Sequence, residues 1–280
     1  MKRLIGLIGD PVAHSKSPQM HNVQFESLGL PFSYHAFQVP DEMLSGAVSG
    51  MKALGFKGFN VTIPHKVAVM EYLDEVSDEA MRIGAVNTVV NESGKLVGYN
   101  TDGKGYLLSL EKETGISLKG KKLLVIGAGG AARALLVTLL EGGAGRVDIA
   151  NRSLEKARAL VRALSQGACK VLSLPEAEQR LGDYDLIVNT TPVGMSPNIE
   201  QSPIKVENIK PGAIASDIVY NPLETEFLQQ SRKKGAVIHT GIGMFAGQGA
   251  LAFERWTGRI PDFEAMKRTV LEEMNGSHGQ

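Results

Sequence analysis

"KKLLVIGAGGAARALLVTLL", residues 121–140, decides the reading of this chain. It opens as an apolar strand and continues from about residue 131 as a helix rich in alanine and leucine. Between the two, Gly127-x-Gly129-x-x-Ala132 fits the G-x-G-x-x-G/A turn, whose small residues let backbone N–H groups approach a pyrophosphate at the positive end of a helix. A glycine loop can also be a plain turn, but a strand before it and a helix after it supply the context the fingerprint requires. The same run holds glycines and Arg133. An arginine in mid-bilayer costs about 2.5–3.5 kcal/mol, so strand–turn–helix explains the run better than a membrane span.

Downstream the alternation continues. "RVDIA" reads as the next strand, and a helix from Ser153 puts Leu154, Ala157, Leu160, Val161 and Leu164 on one face. Further strands fit "DLIVN" (185–189), "AIASDIV" (213–219) and "AVIH" (236–239). This is the pattern of a doubly wound, Rossmann-type domain. The end of its second strand distinguishes the dinucleotides. An NAD binder places an acid about twenty residues beyond the turn to hold the ribose 2′-hydroxyl. Asp148 has that separation but lies inside the strand, two residues before Ala150. At the strand end stands "NRSLEK", with Asn151, Arg152, Ser153 and Lys156. An arginine there stacks on adenine and pairs with a 2′-phosphate, which favours NADP(H). The plainer alternative is a pair of solvated helix-end cations.

Upstream, residues 4–8 ("LIGLI"), 34–39, 56–63 and 86–90 read as strands, with helical patterns near 18–28, 41–54 and 64–76. That order predicts an α/β domain with a mostly parallel sheet. "EKETGISLKG" (111–120) reads as a polar linker, and after residue 241 the pattern is wholly helical and expected to pack back onto the first domain. The expected organisation is a substrate domain over 1–102 plus 242–280 and an NADP-binding domain over 103–241.

The composition agrees with two ordinary cores. The chain has 280 residues, 43% hydrophobic and 21% charged, long enough for two domains of common size. Thirty basic residues balance thirty acidic ones, so no overall field recruits nucleic acid or an anionic membrane. The single cysteine, Cys169, cannot form an intrachain disulfide and reads as a buried spectator thiol in a reducing, cytoplasmic setting. The histidines show no H-E-x-x-H pair or cysteine partners, so no metal is expected. The apolar start, Leu4 to Gly9, stops at Asp10, short of the roughly 7–15 residues a signal peptide needs.

Several polar groups stand where a ligand could meet them. In "AHSKSPQMHN", Ser17 reads as an N-cap before Pro18, and Ser15 adds a second hydroxyl suited to a small carboxylate. Asn60, Thr62 and Asn87 lie at or near strand ends, and an amide inside the apolar run "GAVNTVV" must find partners. Asp102 in "GYNTDGKGYLL" precedes a helix and could be a simple cap. In "NVTIPHK", Pro64 suits a first helical position, and Val67, Met70, Leu73 and Val76 follow as a stripe. Lys66 would then sit in the first helical turn, where the dipole disfavours a cation, a placement poor for stability and useful for proton transfer.

Nine segments in register, "GDPVAHSKSPQMHN", "GFNVTIPHK", "GAVNTVV", "GYNTDG", "GAGGAARA", "NRS", "NTTPVGM", "DIVYNP" and "GIGMFAGQGALAFERWTG", resemble the shikimate dehydrogenase family from the first strand almost to the end. Asp10 and Ser153 depart from the commoner asparagine and threonine, and neither carries chemistry. The resemblance implies NADPH-dependent reduction of 3-dehydroshikimate to shikimate, a step in making aromatic amino acids. It implies Lys66 and Asp102 as the catalytic pair, with Ser15, Ser17 and Tyr220 on the substrate carboxylate. Asn60, Thr62, Asn87 and Gln248 would meet the ring hydroxyls together with that pair. For the cofactor it implies Gly127, Ala128, Gly129, Gly130 and Ala131, then Asn151 through Lys156, Ile218, Gly241 and, on a looser motif, Asp78.

A lysine ammonium beside a ketone oxygen can stabilise its developing charge and donate a proton, with Asp102 holding the ammonium in place. Three rivals share part of the pattern. A broader quinate/shikimate paralogue, often NAD-linked, is disfavoured by "NRSLEK" and by Ser15 with Thr62. A non-catalytic dinucleotide-binding sensor has little need of Lys66 and Asp102 together. A tetrahydrofolate dehydrogenase would share only the second domain, against "SKSP" and "NTDG". Two domains suggest closure around a small substrate, in a monomer or a homodimer.

Overall fold

The computed structural model describes residues 2–164 and 169–276; Met1 and 277–280, which the expected domain ranges include, lie outside the described residues. The chain divides into two compact units, Met1–Gly105 with Ala246–Gln280, and Tyr106–Phe245.

The first unit holds β1 (Arg3–Gly9), α1 (Ser17–Ser27), β2 (Phe32–Gln38), α2 (Leu44–Ala53), β3 (Gly58–Val61), β4 (Glu75–Val76), α3 (Asp78–Ile83), β5 (Thr88–Glu92) and β6 (Lys95–Tyr99). Their six-stranded sheet runs β2-β1-β3-β5-β6-β4, parallel except where β5 pairs with β3 and β6. Ile8, Phe59, Val61 and Val89 pack on α2 residues Val48 and Met51. Ile5, Leu7 and Val90 pack with Phe25, Phe253 and Trp256. The sheet is thus covered by separate apolar clusters built from its alternating side chains.

The helix α4 (Asp102–Thr114) crosses the boundary between the units. The second unit then alternates β7 (Lys122–Ile126), α5 (Gly130–Glu141), β8 (Arg146–Ala150), α6 (Leu154–Leu164), β9 (Val171–Leu172), α7 (Leu174–Gln179), β10 (Leu186–Asn189), β11 (Ile214–Asp217), α8 (Glu226–Lys233) and β12 (Val237–His239). Its six strands are all parallel in the order β12-β11-β10-β7-β8-β9. The order reverses between β10 and β7, which marks the ligand crevice of a doubly wound sheet at the strands' carboxyl ends. The chain closes with α9 (Gly241–Thr257) and α10 (Phe263–Gly276).

Four sequence expectations are corrected. No α-helix spans 64–76: a turn is followed by a 3₁₀ helix, Ala68–Tyr72, and then β4. The Lys66 carbonyl accepts from Val86 N–H at 2.7 Å, so the fourth-neighbour ladder is broken there, and Val67, first of the expected stripe, is exposed. Residues 111–120 are no interdomain linker, since α4 continues to Thr114 and both Leu110 and Leu118 are buried in the core of the second unit. Ser17 is the first residue of α1 rather than its cap, Lys16 holding the N-cap position without a side-chain capping bond. The strand expected over 86–90 begins at Thr88, and its antiparallel partner β6 had no separate signal.

Candidate active site

In the first unit, one hydrogen-bonded chain gathers most of the polar residues singled out above. Lys66 Nζ donates to Asp102 Oδ2 at 2.6 Å, and Asn87 Nδ2 donates to Asp102 Oδ1 at 2.8 Å. The lysine side chain is 20% exposed and the carboxylate only 4%, so the ammonium is the accessible end of the pair. Asp102 opens α4 without serving as its cap, because Asn100 Oδ1 accepts from the Asp102 N–H at 3.0 Å. That local Asx bond leaves both carboxylate oxygens free for Lys66 and Asn87. An ammonium has three protons, so two remain for a ligand.

The amide of Asn87 is fully used: Nδ2 also reaches Thr101 Oγ1 at 3.0 Å, while Oδ1 accepts from the Thr101 N–H at 2.8 Å and the Thr88 hydroxyl at 3.0 Å. Thr101 Oγ1 donates to the Gln248 carbonyl at 3.0 Å, which brings α9 to the site. Gly105 permits this, since a Cβ there would run into the backbone of Gly247 and Gln248. Asn60 Nδ2 donates to Asn87 O at 3.0 Å and Thr88 Oγ1 at 3.1 Å, and its Oδ1 accepts from the Tyr34 hydroxyl at 2.7 Å. Ser17 hydrogen-bonds that hydroxyl, and Ser15 Oγ donates to Ser17 Oγ at 3.2 Å. Burial pushes the Tyr34 phenol well above its ordinary range, so it acts as a neutral donor. Thr62 is half-buried at the end of β3. Asp78 stands apart from this chain, exposed in the first turn of α3.

Tyr34, Thr88 and Asn100 escaped the sequence reading. Tyr34 is buried on β2 beside the also buried Phe32, like any strand aromatic; only Asn87's need for partners pointed toward the neighbouring threonines.

In the second unit the glycine turn has the geometry a dinucleotide requires. Gly127 follows β7 with φ +120°, and a Cβ there would run into the Thr190 hydroxyl. Gly129 is the N-cap of α5, with no side-chain cap, no acid in the first turn, and open space where its Cβ would point. The N–H groups of α5's first turn, with Gly130 and Ala131, thus stay open to an anion, while Ala132 is buried in the core below Ala128. Asp148 is spent inside the fold, accepting from Arg146 Nε at 2.9 Å, the Lys170 N–H at 3.1 Å and the Tyr184 hydroxyl at 2.8 Å. At the end of β8, Asn151 Nδ2 donates to Ser153 O at 2.8 Å, leaving Arg152 and Lys156 exposed. These residues fit a 2′-phosphorylated dinucleotide: a bare helix start for the pyrophosphate, the cations Arg152 and Lys156 at the ribose end, and the strand's own acid, Asp148, engaged inside the fold.

At the ends of β10 and β11, Asp217 is buried and accepts from Asn189 Nδ2 at 3.0 Å, the Val219 N–H at 2.9 Å and Thr225 Oγ1 at 2.6 Å. Burial raises its carboxyl to about 6. Gly241 lies against the carbonyls of Ile218 and Val219, and Tyr220 packs on Phe245 with ring centroids 4.6 Å apart. Among the described residues there is no group of three or more His, Cys, Asp or Glu arranged to hold a metal, and no helix is long and apolar enough to cross a membrane.

A doubly wound sheet with this turn, joined in one chain to a unit carrying a buried carboxylate and a partly exposed ammonium, defines a dinucleotide-dependent oxidoreductase. Three family models match in sequence order: the shikimate dehydrogenase substrate binding domain over residues 7–89, shikimate/quinate 5-dehydrogenase over 109–213, and the shikimate 5′-dehydrogenase C-terminal domain over 241–271. The chain is 53% identical over 274 residues to the shikimate dehydrogenase (NADP(+)) of Geobacillus kaustophilus, covering 98% of this chain and 99% of that one. A shikimate dehydrogenase solved in complex with NADP+ superposes with a TM-score of 0.93 at 44% identity, over 98% of this chain and 96% of that one. The Thermus thermophilus enzyme, solved with NADP(H) and shikimate, gives 0.88 at 42% identity over 96% and 99%. The chain belongs to the shikimate dehydrogenase family.

Proposed function

We propose that this chain catalyses the reversible NADPH-dependent reduction of 3-dehydroshikimate to shikimate, with Lys66 and Asp102 as the catalytic pair. The observation that carries the assignment of residues is the 2.6 Å contact between a partly exposed ammonium and a buried carboxylate. NADP(H), when bound, supplies or accepts the hydride. Lys66 Nζ holds a proton at the substrate's ketone oxygen, stabilises the charge gathering there and donates the proton as the alcohol forms. Asp102, fixed by Asn87, keeps the ammonium aimed and accepts from a ring hydroxyl. Ser15, Ser17 and Tyr220 hold the carboxylate, and Asn60, Thr62, Asn87 and Gln248 orient the ring. The turn 127–131, the segment 151–156, Ile218, Gly241 and Asp78 form the dinucleotide site. Residues 1–102 with 242–280 act as the substrate domain and 103–241 as the dinucleotide domain.

The matched family description names quinate as well as shikimate, so a broader substrate range is the second reading. Initial rates with shikimate or quinate against NADP+ or NAD+ separate the two. Turnover confined to shikimate with NADP+ supports the dedicated enzyme, comparable rates with quinate or NAD+ support the broader one, and no turnover overturns both. The lone Cys169 supports a reducing, cytoplasmic setting, and the balanced charge supports action on small molecules without nucleic acid, as a monomer or homodimer.

A further inference from the structure

The hydrogen-bonded chain of the first unit has two ends that serve different parts of a ligand under the proposed function, and one side chain joins them. Ser15 and Ser17 form the carboxylate end; Asn60, Asn87, Asp102 and Lys66 form the ring end. Tyr34 is bonded to both, accepting from Ser17 and donating to Asn60 Oδ1 at 2.7 Å. Its hydroxyl is not offered to a ligand, for the residue is 1% exposed. Its ring is held on one side by His21, stacked at 4.6 Å and 16°, and approached by Trp256 at 6.0 Å. A ring clamped this way fixes where the hydroxyl sits, so Ser17 and Asn60 are both referred to one rigid point.

We infer that Tyr34 is a positioning residue for the substrate, coupling recognition of the carboxylate at Ser17 to recognition of the ring at Asn60. The inference rests on the proposed reaction. Without the hydroxyl, Asn60 Oδ1 loses its only donor among the contacts above, and the amide is held from its Nδ2 side alone, by Asn87 O and Thr88 Oγ1. Ser17 Oγ loses its acceptor and its fixed direction. Neither change touches the Lys66–Asp102 pair directly, which is bonded to itself and to Asn87 but to neither Tyr34 nor Ser17. The effect therefore falls on substrate binding before it falls on proton transfer.

Tyr34→Phe keeps the ring stack and removes only the hydroxyl. The KM for shikimate is expected to rise about five- to tenfold, the worth of one net hydrogen bond. The kcat should fall less than about threefold, and the NADP+ KM should stay within about twofold. A merely structural role would lower the melting temperature and the active fraction while leaving the shikimate KM unchanged. A folded variant with a KM within about twofold of wild type overturns the inference alone; a wild type inert toward shikimate overturns the proposed reaction and the inference with it. Should Tyr34→Phe not fold, Ser17→Ala and Asn60→Ser are combined in the otherwise native chain. A double variant whose KM departs at least about threefold from the product of the single effects supports the coupling, and a simple product overturns it.

Discussion

Lowering the pH from about 7.5 to about 5 is expected to cost the first unit about 2 kcal/mol of stability through His21. The side chain is fully buried, and both ring nitrogens lack a hydrogen-bond partner among the described residues. It lies within a cage of aromatic rings, stacked on Tyr34 at 4.6 Å, with Phe253 at 6.2 Å, Phe25 at 6.3 Å and the edge of Trp256 at 5.4 Å. Only Tyr34 among these can titrate, and burial keeps it neutral. With nothing to solvate the cation, burial lowers the imidazole from 6.5 to about 3. The unfolded chain therefore binds a proton below 6.5 that the folded chain refuses until about 3, and stability falls as the pH drops between those values. At about 1.4 kcal/mol for each pH unit, the loss is about 2 kcal/mol at pH 5 and approaches about 5 kcal/mol near pH 3. His21→Phe keeps a flat ring in the cage and removes the proton site. Urea unfolding followed by Trp256 fluorescence reads this unit, since Trp256 is the only tryptophan and is 2% exposed. The wild type should lose about 2 kcal/mol more than the variant between the two pH values. Equal losses, within about 0.5 kcal/mol, would refute the reasoning.

Lys66→Met should lower kcat by about a hundred- to ten-thousand-fold with little change in NADP+ affinity, and near-normal turnover would remove Lys66 from the chemistry. Asp102→Asn should lose rate comparably at a smaller cost in melting temperature, because it leaves no buried carboxylate unpaired, whereas breaking such a pair costs up to about 3–5 kcal/mol. Arg152→Asp should raise the NADP+ KM at least about tenfold and shift preference toward NAD+; an unchanged ratio in paired initial-rate assays would return Arg152 to the status of a solvated cation. Gly127→Ala should weaken NADP+ binding at least about tenfold by calorimetry, since φ +120° and the Thr190 hydroxyl both oppose a side chain; an unaltered Kd would show that the turn tolerates what its geometry forbids.

The second unit was legible in the sequence because parallel strands buried on both faces read as continuous apolar runs punctuated by glycine turns. "KKLLVIG" and "RVDIA" became β7 and β8 nearly to the residue. The short elements β9 and α7 carried too few residues for any periodicity. The first unit was harder, since its sheet mixes parallel and antiparallel neighbours and one of its strands is only two residues long. The polar run 111–120 misled for a different reason: its glutamates and lysines face solvent, while the sparse Leu110, Ile116 and Leu118 carry the packing.

Lys66 shows how a residue can be singled out for a reason the structure does not bear out. The proline and apolar stripe suggested a helix whose first turn would perturb a lysine, and the structure has no such helix. What places Lys66 is a backbone bond that no periodicity encodes, from Val86 N–H to the Lys66 carbonyl at 2.7 Å. Val86 is the residue before Asn87, and Asn87 Nδ2 holds the other oxygen of the carboxylate that Lys66 holds. One main-chain contact thus brings the ammonium and the amide to Asp102 together, in a turn that presents a cation at a partly exposed position. A regular helix would have closed the Lys66 carbonyl onto Met70 and left Val86 without its acceptor. The irregular backbone is therefore the element that assembles the pair, and the tie from residue 66 to residue 86 is what the sequence could not announce.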